Sequence, residues 1–179
     1  FAGIMSSISM VIAHEFWLYP SQFFPKKGET ISIGINAGED YVGERWGGGS
    51  RRVQRLRLIS SKGEKNLTTT VLQTDSLVKL QPLALTEEGT HILALETNSS
   101  FIELEPKKFL DYLKEDGLDN AIDYRQKNGE TKKNGRELYR RCAKTVMQVG
   151  SVRSNEITKP MGLAIDIVPQ QNPYRSEEH

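Results

Sequence analysis

Cysteine is nearly absent from this chain: Cys142 stands alone in 179 residues. A lone thiol closes no internal disulfide. Without a Cys-x-x-Cys pair there is neither a thiolate zinc site nor a dithiol redox motif. Burial as a small hydrophobe is the expected fate of Cys142. Histidine is as scarce, with only His14, His91 and His179, and a chain this poor in imidazoles and thiols is a lean metal binder. An excess of one charge is also missing. Lys plus Arg number 24 against 23 Asp plus Glu, a net charge of +1, which removes the electrostatic case for nucleic acid or an acidic membrane surface. Basic residues do cluster, at Arg51, Arg52, Arg55 and Arg57 and again at Arg136, Arg140, Arg141 and Lys144. They alternate with apolar residues, as on the solvated face of a strand. After residue 13 no apolar run approaches the ~20 residues of a membrane span. Nucleophile and phosphate-loop motifs are lacking too. Gly47-Gly48-Gly49 lies between strands with no helix behind it, so no helix dipole is there to hold phosphate. Enzymatic activity is therefore not expected.

What the chain does have begins at its start. Residues 1–13 carry no charge and end with Val11 and Ala13, the small or aliphatic pair at −3 and −1 that a signal peptidase accepts. The expectation is the back half of a secretory signal on an N-terminally clipped fragment of an exported, periplasmic protein. Cleavage after Ala13 would leave His14 as the mature N-terminus. Its α-amine and imidazole together make a bidentate nitrogen site suited to Ni, Co, Cu or Zn.

Period-2 runs dominate the rest. Phe16 to Tyr19 stops at Pro20, and Ile31, Ile33 and Ile35 share one face. A Gly-rich aromatic loop, Gly38 to Ser50, follows. Val53 to Ile59, Leu67 to Leu72, Leu77 to Leu80, Gly89 to Thr97 and Leu163 to Val168 read as further strands. Tyr139 to Val149 alternates as well, entered through the helix formers Glu137 to Arg140. Short strands at such intervals predict a mainly β fold, an immunoglobulin- or transthyretin-like antiparallel β-sandwich. A short helical insertion is expected around residues 106–128. Pro106 opens one helix whose face carries Phe109, Leu110 and Leu113, Gly117 closes it, and a second helix covers Leu118 to Lys127. The expected domains are a partial signal peptide (1–13), the sandwich (14–169) and a linker (170–179).

Two constellations carry candidate chemistry. In the first, Ile92 and Ala94 form the apolar face of their strand, which turns His91 to the more polar side. If His14 and His91 converge, with Glu15 completing the set, they would hold one divalent transition metal. His179 ends a polar tail and reads as incidental. In the second, Tyr41 and Trp46 flank the Gly-rich loop, where they can stack a sugar or another flat ligand, or simply plug the sandwich.

Several segments together look familiar: Ala13-His14-Glu15-Phe16-Trp17-Leu18-Tyr19-Pro20, Gly38 to Gly43, and Phe109 to Asp119. To these are added Arg136 to Lys144, Gln148-Val149-Gly150, Ile167-Val168-Pro169 and Asn172-Pro173-Tyr174. The ordered set resembles the DUF4198 family, exported bacterial proteins related to the periplasmic component of nickel and cobalt uptake systems. The resemblance implies a β-rich periplasmic protein linked to transition-metal handling, with His14 as the His of its Ala-His-x-Phe-Trp motif. Tyr139, Arg141 and Lys144 match the family pattern too. Family members continue past Asn-Pro-Tyr into a second small β-domain, so residues 170–179 would begin a part missing from this chain. The expected function is non-catalytic capture or delivery of Ni, Co or Cu, with the metal ion and a membrane transporter component as partners. The alternative is an envelope module that recognises protein or glycan without metal.

Overall fold

The computed structural model describes residues 15–72 and 79–175. Its strands in chain order are β1 (Glu15–Pro20), β2 (Thr30–Ile31), β3 (Ile33–Glu39), β4 (Val42–Arg45), β5 (Val53–Ser60) and β6 (Gly63–Asn66). They continue with β7 (Val71–Leu72), β8 (Lys79–Leu80), β9 (Leu83–Ala84), β10 (Gly89–Thr97) and β11 (Ser100–Leu104). Helices α1 (Pro106–Glu115) and α2 (Asp119–Lys127) precede β12 (Gly135–Tyr139) and β13 (Cys142–Val149). The chain divides into two compact units, Phe101–Leu138 and, among the described residues, 15–100 with 139–175.

The larger unit is mainly β and antiparallel, as its alternating runs predict. One sheet has the order β1-β3-β4 and the other β13-β10-β5-β6. Leu18, Ile33 and Ile35 from the first sheet share one buried cluster with Leu56, Leu93, Leu95, Met147 and Val149 from the second. Each such side chain taken fully from water contributes about 1.5–3 kcal/mol. The arrangement is a β-sandwich, and its register sets Leu18 opposite Ile35 and His91 opposite Met147.

Strand β10 departs from the sequence reading because all nine of its residues are buried. Its even positions, Ile92 and Ala94, pack under Ile157 and Met161 from the chain after β13, while its odd positions face the main core. His91 is therefore only 3% exposed and does not turn to a polar surface. Period-2 patterning assigns faces but cannot say that a remote segment will cover the second one.

That covering segment, residues 150–175, forms no strand where Leu163 to Val168 was expected. Side chains of the sheet hold it down instead. Arg57 donates to Met161 O at 2.6 Å and Arg55 to Gly162 O at 2.8 Å. Lys144 pairs with Asp166, whose other oxygen accepts the Met161 N–H. The described part of the expected linker is docked as well. Asn172, 1% exposed, donates to Thr90 Oγ1 at 2.9 Å and Ser154 O at 2.7 Å. The Tyr174 hydroxyl donates to Val146 O at 2.7 Å, and burial raises its pKa.

Three further expectations shift. The predicted loop Gly38 to Ser50 contains β4 and a tight turn. Strand, not helix, precedes the break at Arg140-Arg141. Leu67 to Leu72 is half a 3-10 turn, Thr68–Thr70, with strand only at β7 behind it, and of Leu77 to Leu80 only Lys79–Leu80 lies within the described residues.

In the smaller unit the helices form as predicted. Pro106 occupies the first turn of α1, where its missing N–H costs nothing, and Phe109 and Leu113 bury one stripe. A Cβ on Gly135 would lie 2.0 Å from the Phe109 ring, so this close approach needs glycine. Burial, aided by Glu137, pushes the Tyr112 phenol well above its ordinary range.

Candidate functional site

The chemistry-bearing residues of the sandwich gather where β1 begins. Strands β3 and β4 pair as far as Glu39 and Val42, leaving Asp40 and Tyr41 as a two-residue loop. Both have positive φ, 50° and 57°, the backbone of a type I′ turn, which favours Asn-Gly or Asp-Gly. A tyrosine there is strained by roughly 1–2 kcal/mol. The Tyr41 N–H donates to Glu15 Oε2 at 2.8 Å, and the Tyr41 ring meets Trp17 edge-on at 5.8 Å. Between the two strands Gly38 opposes Gly43, where a Cβ on either would strike the facing backbone at 2.2 or 2.3 Å. The result is a tight tip that leaves Tyr41 77% and Val42 80% exposed.

Beneath the sheet at this end five side chains close a ring of contacts. Phe16 meets Trp46 edge-on at 5.1 Å. The Arg52 guanidinium lies 5.8 Å from the Trp46 ring and 5.7 Å from that of Tyr139. Arg141 returns the circuit, 5.5 Å from Tyr139 and 5.6 Å from Phe16. Cation–π contacts of this length contribute about 0.5–1 kcal/mol each. Tyr41 and Trp46, read together from the sequence, are thus separated: Tyr41 faces outward and Trp46 is 8% exposed within the core. The basic clusters are solvated only in part: Arg51, Arg136 and Arg140 are exposed, and the others are half-buried or buried. Arg57 is buried against Glu64, and Glu96 bridges Arg55 and Arg140.

His91 lies elsewhere. Its Nε2 is 2.9 Å from Glu87 O, so Nε2 carries the proton. The ring lines a cleft of about 230 Å³ with Leu58, Ser60, Lys62, Lys65 and Leu85. His91 pairs with Met147, whereas Phe16, next to Glu15, meets Arg141. Six residues of extended chain between Arg141 and Met147 span about 20 Å, so Glu15 and His91 occupy opposite ends of the sandwich. His14 and His179 lie outside the described residues. Among the described residues no group of three or more His, Cys, Asp or Glu is placed to hold a metal ion, and Glu15 and His91 do not meet in one centre.

Sequence reasoning missed the Arg52, Tyr139 and Arg141 circuit. The signal was present in part, since Tyr139 and Arg141 sit two apart in an alternating run. Nothing local, however, connects them to Trp46 and Arg52.

With this geometry in view, the chain belongs to the family described as a domain of unknown function, DUF4198, whose model matches residues 11–178, nearly the whole chain. No curated protein and no solved structure matches it.

Proposed function

We propose that this chain is a non-catalytic binding protein of the bacterial envelope that recognises a glycan through the tip formed by Trp17, Tyr41 and Val42. What supports this reading is the Tyr41 backbone. A bulky aromatic occupies a positive-φ position where glycine is the unstrained choice, and its ring is left to solvent. Strain kept where packing does not demand it points to use, and an exposed ring beside a second aromatic is the surface on which a sugar face stacks. A glycan array probed with the wild-type chain and with Tyr41→Ala tests it. Saturable binding that Tyr41→Ala loses is the expected result, and absence of any bound glycan for the wild type would sink the reading.

Capture of Ni, Co or Cu as cargo is the second reading. It rests on His14, which directly precedes Glu15 in the sequence, and on the family resemblance; it does not extend to His91. Titration of the three ions into protein beginning at His14, with His14→Ala beside it, decides the matter. Micromolar binding that the substitution abolishes supports capture, and no binding removes it.

A further inference from the structure

Arg52 ends the 3-10 turn Ser50–Arg52 that follows the triglycine loop, and its carbonyl accepts the Asn98 N–H at 2.9 Å. The turn is therefore fixed to the sheet. Its guanidinium is held beside the Trp46 and Tyr139 rings, yet Nε and Nη2 are buried and have no hydrogen-bond partner among the described residues. Those two nitrogens lie along one edge of the guanidinium, with their N–H bonds nearly parallel. That edge is the fork that receives two oxygens of one carboxylate. Arg55 and Arg57 also leave Nε unpaired, but each has a carboxylate on its outer nitrogens. Arg52 has no carboxylate partner among the described residues. A buried donor left unmade costs about 1–3 kcal/mol, and more when charged, so two on one cation form a fork that an acceptor would satisfy.

We propose that Arg52 is the centre of a carboxylate-binding site and takes the carboxylate of an acidic ligand side-on, through Nε–H and Nη2–H. The Trp46 and Tyr139 rings orient the guanidinium and keep water from its edge. Arg141, sharing the Tyr139 ring, adds a second positive charge. One fork and a flat, aromatic-walled setting match a planar monoanion better than a phosphate dianion, which needs donors on more of its oxygens. In this proposal the ligand enters past Gly47-Gly48-Gly49, which lies against the Trp46 wall of the site. Gly48 lies so close on the Trp46 ring that a Cβ would sit 2.0 Å from it, and Gly49 holds φ 73°. Such a glycine run can swing off the ring with little steric resistance. The site stands on different residues from the Tyr41 tip, so either proposal can fail while the other holds.

The test is a titration of the intact chain with sodium acetate, and separately with inorganic phosphate, at constant ionic strength, following the arginine Nε–H signals by NMR. One Nε–H, assigned to Arg52 by through-bond correlation, should move downfield and saturate with a Kd of about 1–10 mM, a range suited to so small a ligand. In Arg52→Lys that signal is absent, and acetate binding, followed then through the Trp46 indole N–H, weakens about tenfold, the equivalent of one charge-assisted hydrogen bond. Because the wild-type titration stands alone, a variant that fails to fold does not rescue the idea. An Arg52 Nε–H that stays unmoved, or that moves equally with chloride, overturns the site. Phosphate binding as tightly as acetate overturns its assignment to carboxylates.

Discussion

Residues 150–175 and the sheet end where β1 begins are finished by opposite means. In the first region chain without strand partners is held by polar groups that mostly find one another, Ser154 Oγ and Glu156 Oε2 being buried exceptions among the described residues. Gln148 Nε2 alone donates to the carbonyls of Val149, Gly150 and Val152, and Asn172, Thr90 and Lys144 are engaged in the same way. At the second, a tyrosine occupies a glycine conformation and an arginine keeps a buried, unpaired fork. Satisfied networks fix structure; strain and unmade bonds persist only where something else retains them. The contrast sets a stabilising strap against the end proposed to bind, and it can be broken residue by residue.

The largest effect belongs to Lys144 and Asp166, whose side chains are 11% and 12% exposed. Lys144→Met leaves a mostly buried carboxylate without its main partner and should cost about 3 kcal/mol in urea denaturation. A double-mutant cycle with Asp166→Asn should return part of that loss. Burial works against ionising Asp166, but Lys144, the Met161 N–H and Arg57 outweigh it and hold its pKa below the ordinary 3.8. The pair therefore contributes fully above that value and is lost as pH falls through the lower folded one. Amide exchange over residues 156–168 should accelerate in that acid window, and the pH dependence should flatten in Lys144→Met. An unchanged exchange rate would mean that apolar contacts of Ile157 and Met161 alone hold the strap.

Next is Asn172→Ala. It removes two donated bonds and the acceptor for the Tyr174 N–H, 2.9 Å away, inside a site that is 1% exposed. The expected loss is about 2 kcal/mol, read as a fall in the urea midpoint with an unchanged slope. A loss within measurement error would show that residues 170–175 rest on the sandwich without stabilising it.

These two sites also mark how far the sequence was legible. Ile31, Ile33 and Ile35 announced their shared face because alternation is local, and Pro106 and Gly117 announced the ends of α1 because caps are local. The strap did not announce itself. Leu163 to Val168 has a strand's composition, but among the described residues no strand pairs with it, and the groups that hold this part of the strap come from Arg55, Arg57 and Lys144, far away in sequence. The same remoteness let the strap-covered face of β10, Ile92 and Ala94, pass for the core face, which misplaced His91, whose own face turns toward the main core with Leu93 and Leu95. At the candidate site Tyr41 could be named from the sequence, while its positive φ and the Arg52 circuit depend on pairings that only the fold creates.

At the unsatisfied end the same kinds of change should cost little. Arg52→Met keeps apolar packing against Trp46 and Tyr139, gives up two cation–π contacts and removes two unpaired buried donors. The terms oppose each other, so stability should change by less than about 1 kcal/mol, with acetate binding lost. A loss as large as that of Lys144→Met would place Arg52 among the structural cations and erase the contrast.

The smallest effect has the opposite sign. Tyr41→Gly places Asp-Gly in a type I′ turn, the pairing this backbone favours. Relief of the strained φ is worth about 1 kcal/mol, partly offset by the lost edge contact with Trp17, about 0.5 kcal/mol for an exposed aromatic pair. The variant should therefore melt at a slightly higher temperature than wild type while failing to bind glycan. A protein more stable and less competent after one substitution is the signature of strain retained for recognition. If Tyr41→Gly instead lowers the midpoint, the Trp17–Tyr41 contact and the Glu15 bond to the Tyr41 N–H are the reason tyrosine sits there. The tip would then be structural in the same sense as the strap.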